Sequence, residues 1–407
     1  MSVAPAPISD PVTPLSAGFA SPALDPATFL DPALIPIGEK VLNRQRLNAA
    51  DAMALWETRD IFALGAMANF VRRQRHGNLG FYNVNRHINY TNICALSCKF
   101  CEFQRKRGEA GAYEYSLDDI IRTAGEAAAA GATEIHIVGG LHPWLPFDWY
   151  LAMLRHLRER FLRLHLKCFT AIEIHHFTKI AHLSTREVLL ALQEAGLGSL
   201  PGGGAEVFDD RVHDQVFKGK MRSDGWLEVH RIAHELGLPT NATILYGHVE
   251  SRTERVAHLL KLRELQDAVP SAADGGRAGF QTIIPLSFIP DGSELGYLPG
   301  PTGLEDLKML AISRLVLDNF PHVKAFWIMQ SMKLSQVSLD WGVDDLDGTV
   351  VWYDITKREG QQTHQEQTVP NLRRLIREAG YLPTERDTLY RRVIRNPANF
   401  ADWKIEV

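Results

Sequence analysis

The chain has 407 residues, a formal net charge of −4 at pH 7 and a hydrophobic fraction of 45%. This length allows a large buried core, and the composition is that of a globular protein rather than a disordered or fibrous one. The near-neutral charge gives no electrostatic reason to expect nucleic acid as a partner, and no apolar run reaches the roughly 20 residues of a membrane span.

The first 40 residues are rich in Ala, Pro and Ser, and this composition predicts a flexible leader. They lack the basic start and the continuous apolar stretch of a signal peptide. Residues 41–80 predict an N-terminal helical extension. Within it, apolar residues from Met53 to Phe70 keep one helical face, and Gly77 follows as a stop.

From residue 81 onward, short apolar runs alternate with helical segments. Capping boxes, in which a hydroxyl residue precedes an acid by three positions, mark helix starts at Ser116, Ser184, Ser251 and Thr302. The predicted strands are 81–93, 134–138, 165–169, 197–200, 241–245, 280–284 and 323–328, with 349–352 as a candidate eighth. A polar, Gly-rich insert at 271–277 predicts a surface loop.

This alternation predicts a parallel sheet. About eight such units predict an α/β fold, a (βα)8 TIM-type barrel, with its core at 81–330 and a barrel-completing segment at 331–407. A doubly wound open sheet is the alternative.

Three of the four cysteines lie close together as Cys94, Cys98 and Cys101, in a C-x3-C-x2-C spacing directly after the first predicted strand. Three thiolates can hold three irons of a [4Fe-4S] cluster and leave the fourth iron open, whereas structural clusters normally use four cysteines. Cys168 lies in an apolar run and is predicted to be a core residue. Free thiols of this kind predict a reducing, cytoplasmic location. A zinc site that recruits His87 is the alternative.

The residues with chemical potential follow the predicted strands, where a barrel forms its active site. Gly139 and Gly140 follow the second strand and let backbone approach a ligand closely, although a simple turn would also use them. Glu173 follows the third strand and can accept two ribose hydroxyls, or it can be a helix-start carboxylate. Glu206 follows a triple-glycine string and has the same two interpretations.

The cysteine triplet in this frame, with Phe100 before the third cysteine, resembles the radical S-adenosylmethionine superfamily. The resemblance implies that S-adenosylmethionine chelates the open iron and that the glycine pair meets its amino group. It also implies that one electron from the cluster releases a 5′-deoxyadenosyl radical. This chain has Leu141 where many members of the superfamily carry Glu.

Longer strings at 138–143, 200–206, 241–250 and 344–350 resemble the aminofutalosine synthase family of the futalosine route to menaquinone, and the resemblance runs from about residue 45 to 395. Val138 and the segment 284–288 favour this family over the sister dehypoxanthine futalosine cyclase and the deazaflavin-forming relatives. Trp352 to Gly360 departs from the family pattern, which has acidic residues and an Ala-Gly pair there.

This resemblance implies a transferase. The adenosyl radical adds to the enol ether of 3-[(1-carboxyvinyl)oxy]benzoate, and 6-amino-6-deoxyfutalosine, carbon dioxide and methionine result. S-adenosylmethionine is thus a consumed substrate, and an external donor such as flavodoxin or ferredoxin supplies the electron. Cations or donors are needed for the two substrate carboxylates, and the candidates are His142, Tyr246, His248 and Arg314, with His142 first because it lies two residues after the glycine pair. The hydrogen-abstracting cyclase is the close alternative, and a non-enzymatic metal-binding protein is the distant one.

Overall fold

The structure is a computed structural model that describes residues 23–269, 278–350 and 366–406. The helices are α1 (Ile35–Leu42), α2 (Ala49–Glu57), α3 (Ile61–His76), α4 (Leu117–Ala129), α5 (Phe147–Arg160), α6 (Ala171–Ala181), α7 (Thr185–Ala195), α8 (Asp210–Val216), α9 (Ser223–Glu235), α10 (Arg252–Asp267), α11 (Gly303–Val316), α12 (Trp327–Gln330), α13 (Met332–Ser338) and α14 (Val369–Glu378). The strands are β1 (Leu79–Asn83), β2 (Asn85–Ile88), β3 (Glu134–Ile137), β4 (His165–Cys168), β5 (Pro239–Tyr246), β6 (Gly279–Ser287), β7 (His322–Val323), β8 (Asp345–Gly348), β9 (Leu382–Glu385), β10 (Val393–Asn396) and β11 (Asn399–Ile405).

Within the described ranges, the strands close into a barrel with eight parallel positions around its ring, each of which we call a stave. β2, β3 and β4 pair in that order, and β5, β6 and β7 form a second parallel run. Between these two runs, Ser199 forms a parallel bridge with Lys167 of β4, and Leu200 forms one with Thr240 of β5. Residues 199–200 are therefore the fourth stave of the barrel. A further bridge joins the end of β7 to β8, and β8 pairs with β1, which continues into β2. The ring is closed, which confirms the predicted barrel and excludes the open sheet.

Most predicted strands match staves of the barrel, and the differences fall near its closure. The predicted strand at 323–328 is wrong in its second half, because β7 ends at Val323 and α12 begins at Trp327. A short apolar run rich in aromatic residues cannot be assigned to strand or helix by periodicity alone. The eighth stave ends at Gly348, just before the candidate at 349–352, whose last two residues lie outside the described ranges.

Local hydrogen bonds at the helix starts explain why the helices begin where they do. Ser116, Ser184 and Ser251 each form the reciprocal capping box that the sequence predicts. Thr302 accepts from the Glu305 N–H, which caps α11 from one side. The single helical face predicted from Met53 to Phe70 belongs to two helices, α2 and α3, because the Asp60 carboxylate accepts from the Ala63 N–H and starts the second one.

The two ends of the chain pack against the barrel. Helix α1 begins at Ile35, inside the predicted leader, while residues 1–22 lie outside the described ranges. Helix α3 packs on α11. At the other end, β9 pairs in parallel with β1, from Leu382 beside Leu79 to Glu385 beside Tyr82. β10 and β11 form an antiparallel ribbon that follows β9.

The predicted loop at 271–277 and the atypical stretch from Trp352 to Gly360 lie outside the described residues. Among the residues that are described, no helix combines the length and the apolar character needed to cross a membrane.

Candidate active site

A cavity of about 290 Å³ lies inside the barrel, between the loops that follow the strands and a layer of inward-pointing side chains. The three clustered cysteines and the glycine pair line it near the carboxyl ends of the strands. Its walls are mostly apolar, and they include Val138, Leu245, Ile284, Leu286, Phe288 and Phe326. A concave apolar site with a few polar groups is the usual form of a small-molecule site.

The cysteine loop is held by hydrogen bonds to its backbone. The Ala95 N–H donates to the Leu141 carbonyl at 2.9 Å, and Lys106 Nζ donates to the carbonyls of Cys94 and Leu96 at 2.8 and 2.7 Å. The Cys94 Sγ accepts from the N–H groups of Leu96 and Leu141, both at 3.4 Å. These bonds fix the first cysteine and direct two N–H donors at its sulfur, and hydrogen bonds to the sulfurs are one of the features that tune a bound cluster.

The spread of the three sulfur atoms distinguishes a cluster from a single zinc ion. In the described part of the chain, the one set of three or more metal-ligand side chains whose ligand atoms all lie within 4.8 Å of one another is His76, His322 and Asp344. At least one pair of the cysteine sulfurs is therefore more than 4.8 Å apart, whereas Zn–S bonds of about 2.3 Å place the sulfurs of a tetrahedral site about 3.8 Å apart. Three soft thiolates around an open cavity fit a [4Fe-4S] cluster with one free iron.

Lys220 is a buried cation beside the thiols. Its Nζ forms an ion pair with the Glu206 carboxylate and lies 5.4 Å from the centroid of the Phe100 ring. Burial raises the pKa of Cys98 to about 12, and the positive charge of Lys220 opposes that rise. Burial also raises the pKa of the Cys101 thiol. Lys220 lies between α8 and α9, away from any strand end, and the sequence analysis missed it because no pattern marks it.

Glu206 lines the cavity as the sequence predicts, but its carboxylate is already the partner of Lys220. Its backbone adopts the left-handed region, with φ at 46°, which is uncommon for a residue other than glycine. Glu206 therefore fixes Lys220 near the cysteines, and its role toward a cofactor stays a prediction.

The glycine pair is required by the close approach of the chain to itself. A Cβ atom on Gly139 would lie 2.7 Å from the Tyr90 ring, and one on Gly140 would lie 2.4 Å from the Ile93 carbonyl oxygen. Both glycines also line the cavity. The sequence analysis expected a ligand to approach these glycines, and the structure adds a second reason, since they let the strand before Cys94 pack against the second stave.

Glu173 is buried and joins three parts of the site. Its Oε1 accepts from the Tyr90 hydroxyl at 2.9 Å and from the Gly139 N–H at 3.1 Å. Its Oε2 accepts from the N–H and the hydroxyl of Thr170 at 2.7 and 2.9 Å, which forms a capping box for α6. Burial raises the pKa of Glu173 to about 7, although these four bonds oppose the rise. Four donors occupy the acceptor capacity of a carboxylate, so contact with a ribose stays a prediction.

His142 lies just behind the cavity wall rather than in it. Its Nδ1 accepts from the N–H groups of Trp144 and Leu145 at 3.3 and 3.1 Å, and its Nε2 lies 2.6 Å from Glu114 Oε2. Both ring nitrogens are thus engaged within the chain. The adjacent Leu141 lines the cavity instead.

Three other candidates for carboxylate binding also lie away from the cavity lining. Tyr246 is at an outward position of β5 and donates to Asp306 Oδ1 at 2.6 Å. The His248 Nε2 bonds the Leu245 carbonyl at 3.1 Å within its own turn. Arg314 is buried at the amino end of the barrel, where it pairs with Asp344. The structure does not bring these side chains to the cavity.

The strand alternation explains which side chains do reach the cavity. Inward positions along β5 are Asn241, Thr243 and Leu245, and all three line the cavity, whereas Tyr246 has the opposite parity. The same rule applied to β2, β3 and β4 selects His87, His136 and Lys167. The sequence analysis considered only His87 among them, as a ligand of the alternative zinc site.

We call His87, His136 and Lys167 the basic rank. They are in register, since His87 pairs with His136 and His136 pairs with Lys167 across adjacent strands. All three line the inner end of the cavity, together with Lys324 and Asp347 from the seventh and eighth staves.

Comparison with known proteins agrees with this site. Residues 88–262 match the family model "Radical SAM superfamily", and residues 277–398 match "CofH/MqnC C-terminal region". The chain is 48% identical over 367 residues to an aminodeoxyfutalosine synthase of Thermus thermophilus, which covers 89% of this chain and 96% of that protein. The chain belongs to the radical SAM superfamily. This membership confirms the [4Fe-4S] cluster and S-adenosylmethionine as its cofactors, with the three loop cysteines present to hold the cluster.

Other radical SAM proteins are also similar. An aminodeoxyfutalosine synthase of Streptomyces coelicolor is 43% identical over 86% of this chain and 92% of that protein. A 5-amino-6-(D-ribitylamino)uracil–L-tyrosine 4-hydroxyphenyl transferase of Archaeoglobus fulgidus is 37% identical over 80% of this chain and 92% of that protein. The crystal structure of methylornithine synthase aligns with a TM-score of 0.68 at 18% identity, over 85% of this chain and 97% of that one, which shows the shared fold.

Proposed function

We propose that this chain is an aminodeoxyfutalosine synthase. It joins the 5′-deoxyadenosyl group of S-adenosylmethionine to 3-[(1-carboxyvinyl)oxy]benzoate and forms 6-amino-6-deoxyfutalosine, methionine and carbon dioxide. The observation that carries the proposal is 48% identity to a protein of that name along 367 residues. The geometry supports it, because one cavity joins a three-cysteine loop to an inner end that carries basic residues.

The residues at the mouth of the cavity hold the cofactors. Cys94, Cys98 and Cys101 would bind three irons of the cluster, and the cavity that they line together with the glycine pair would hold S-adenosylmethionine beside it. A cluster bound there supplies the single electron that breaks the sulfur–carbon bond of S-adenosylmethionine. Glu206 holds the Lys220 ammonium beside the thiols, and this positive charge opposes the rise in the pKa of Cys98.

The walls of the cavity protect reactive species. Val138, Ile284 and Leu286 are apolar and carry no thiol, the side-chain group from which a carbon radical takes hydrogen most readily. Their hydrocarbon surface excludes water and positions an aromatic ring by burial. Val138 and the segment 284–288 are also the positions that favour the synthase in the sequence. An aromatic acid that presents its alkene toward the cysteine loop suits this arrangement.

The electron comes from outside the chain, and a small acidic carrier such as flavodoxin or ferredoxin suits the reaction. A reducing compartment such as the cytoplasm would keep the three thiols available for the cluster.

The deciding experiment is a product analysis after anaerobic reconstitution. The protein is incubated with dithionite, 3-[(1-carboxyvinyl)oxy]benzoate and S-adenosylmethionine labelled with 13C in its ribose, and the products are identified by mass spectrometry. The proposal predicts that the label enters an adduct heavier than the acid. If substrate-dependent 5′-deoxyadenosine is the main labelled product, a hydrogen-abstracting reaction such as that of dehypoxanthine futalosine cyclase replaces the proposal.

A second candidate is the 4-hydroxyphenyl transferase, because one such relative is 37% identical to this chain. Incubation with 5-amino-6-(D-ribitylamino)uracil and L-tyrosine tests it directly. Turnover of this pair, without turnover of the carboxyvinyl ether, would favour the second candidate.

A further inference from the structure

The inner end of the cavity carries positive charge that the chain itself balances. Lys167 Nζ lies 2.6 Å from the carboxylate of Glu134, and Lys324 Nζ donates to Asp347 Oδ1 at 3.0 Å. All four of these side chains are buried. The two ion pairs together carry no net charge. A substrate anion that enters this region therefore needs a further hydrogen-bond donor.

His136 has the free hydrogen-bonding capacity in this region. Its ring is partly exposed and lines the cavity, with its centroid 4.3 Å from that of His87. Within the described part of the chain, the His136 imidazole has no hydrogen-bond partner. Burial, together with the charges of His87 and Lys167, holds the pKa of His136 well below its usual range. The ring is therefore neutral at pH 7 and keeps one N–H for a ligand.

The basic rank lies deep in the barrel, at a position where it can contact the end of an elongated substrate that is remote from the cysteine loop. His136 precedes Gly139 by three residues, and strand geometry places it about 10 Å deeper in the barrel. A molecule that reacts beside the cysteine loop would place its opposite end at this depth. The proposed substrate carries its ring carboxylate at that end, meta to the ether.

Resting on the proposed function, we propose that the basic rank and Lys324 bind the ring carboxylate of the substrate, with His136 as its direct hydrogen-bond donor. Lys167 and Lys324 place two buried ammonium groups beside that carboxylate, and Glu134 and Asp347 hold these groups in position. The rank thus determines specificity for an aromatic acid, and it fills the role that the sequence analysis assigned to His142 and its companions.

The test compares two substrates that differ only in the ring carboxylate, namely 3-[(1-carboxyvinyl)oxy]benzoate and 2-phenoxyacrylate. In His136→Gln, kcat/KM for the full substrate is expected to fall about 10-fold to 100-fold, as for loss of a hydrogen bond to a charged group. The loss should appear mainly in KM, and kcat/KM for 2-phenoxyacrylate should stay within threefold of wild type. An equal loss on both substrates would show that His136 has only a structural role.

His165→Gln is the matched control. His165 lies on β4, the strand beside β3, two residues before Lys167. Its Nε2 is 2.8 Å from Ser199 Oγ, and the side chain does not line the cavity. The His165→Gln variant should leave the ratio of the two kcat/KM values unchanged. A similar change of this ratio in His165→Gln would overturn the assignment of specificity to His136.

Calorimetry with a stable probe separates this inference from the proposed reaction. Wild-type protein should bind 3-methoxybenzoate at least tenfold more tightly than the neutral isostere 3-methoxybenzamide, and His136→Gln should remove that preference. If the wild type turns over neither substrate yet shows this preference, the proposed function fails and the carboxylate site stands. If the wild type binds both probes equally, the carboxylate site is refuted, even when His136→Gln does not fold.

Discussion

Gly140→Ala probes the contact that fixes the cysteine loop. A Cβ atom at this position would lie 2.4 Å from the Ile93 carbonyl oxygen, 2.8 Å from the Ile93 carbonyl carbon and 3.1 Å from Cys94 Cβ. Ordinary contacts begin at 3.4 Å, so the backbone before Cys94 must move by about 1 Å. Gly140 cannot yield easily, because its N–H donates to the Thr91 carbonyl at 2.8 Å. Overpacking of this kind costs about 1–3 kcal/mol.

The expected result has two parts. The free energy of unfolding falls by that amount, and iron binding falls with it, because functional ligands must be held within about 0.5 Å of their working geometry. Iron and acid-labile sulfide per chain after anaerobic reconstitution, together with thermal unfolding, measure both effects. Gly303→Ala is the control, since its Cβ would meet Leu334 Cδ1 at 3.7 Å without crowding. A Gly140→Ala protein with wild-type iron content and stability would refute this explanation of the glycine.

Three further outcomes are expected. Replacing any one of the loop cysteines with Ala should abolish the absorbance of the reconstituted cluster, whereas Cys168→Ala should keep the iron, because that thiol is fully buried in the core. Tyr246→Phe should lower the free energy of unfolding by about 1–3 kcal/mol, because Asp306 loses a buried donor, while KM for the aromatic acid stays constant. Since burial raises the pKa of Glu173 to about 7, the folded state gains a proton there between pH 4.5 and 7. The stability that this group contributes is therefore lost as pH rises through that window. Urea titrations should show that the free energy of unfolding of the wild type falls between pH 5 and pH 8 by more than that of Glu173→Gln.

The sequence was sufficient for the barrel and the cysteines because both leave local signals. Capping boxes at Ser116, Ser184 and Ser251 are formed by neighbours three residues apart, so a linear pattern contains them completely. The prediction that Cys168 is a core residue is confirmed for the same reason, since an apolar run surrounds it. The prediction at 323–328 is wrong because β7 is only two residues long and the aromatic run after it turns into a helix.

The residues that line the cavity were harder to predict, because an inward position depends on strand parity and on partners far away in sequence. Tyr246 and His142 were proposed because of their chemical type. The Tyr246 side chain, however, points outward from β5 and donates to Asp306, and the His142 ring is paired with Glu114. His136 has a less conspicuous sequence context, but its inward position follows from the strand period once the strand is known. Lys220 reaches the cysteines from a loop, and only tertiary structure could identify it.

The placement of β1 has a consequence for biosynthesis. This strand leads to the cysteine loop, but it lies between β8 and β9, so its partners are made more than 240 residues after the loop. At 5–20 residues per second, the ribosome takes tens of seconds to reach them after the loop has emerged. Until β8 and β9 have been made, the barrel cannot close, and the pocket around the three thiols is incomplete. The complete cluster pocket therefore forms only after β8 and β9 have been made.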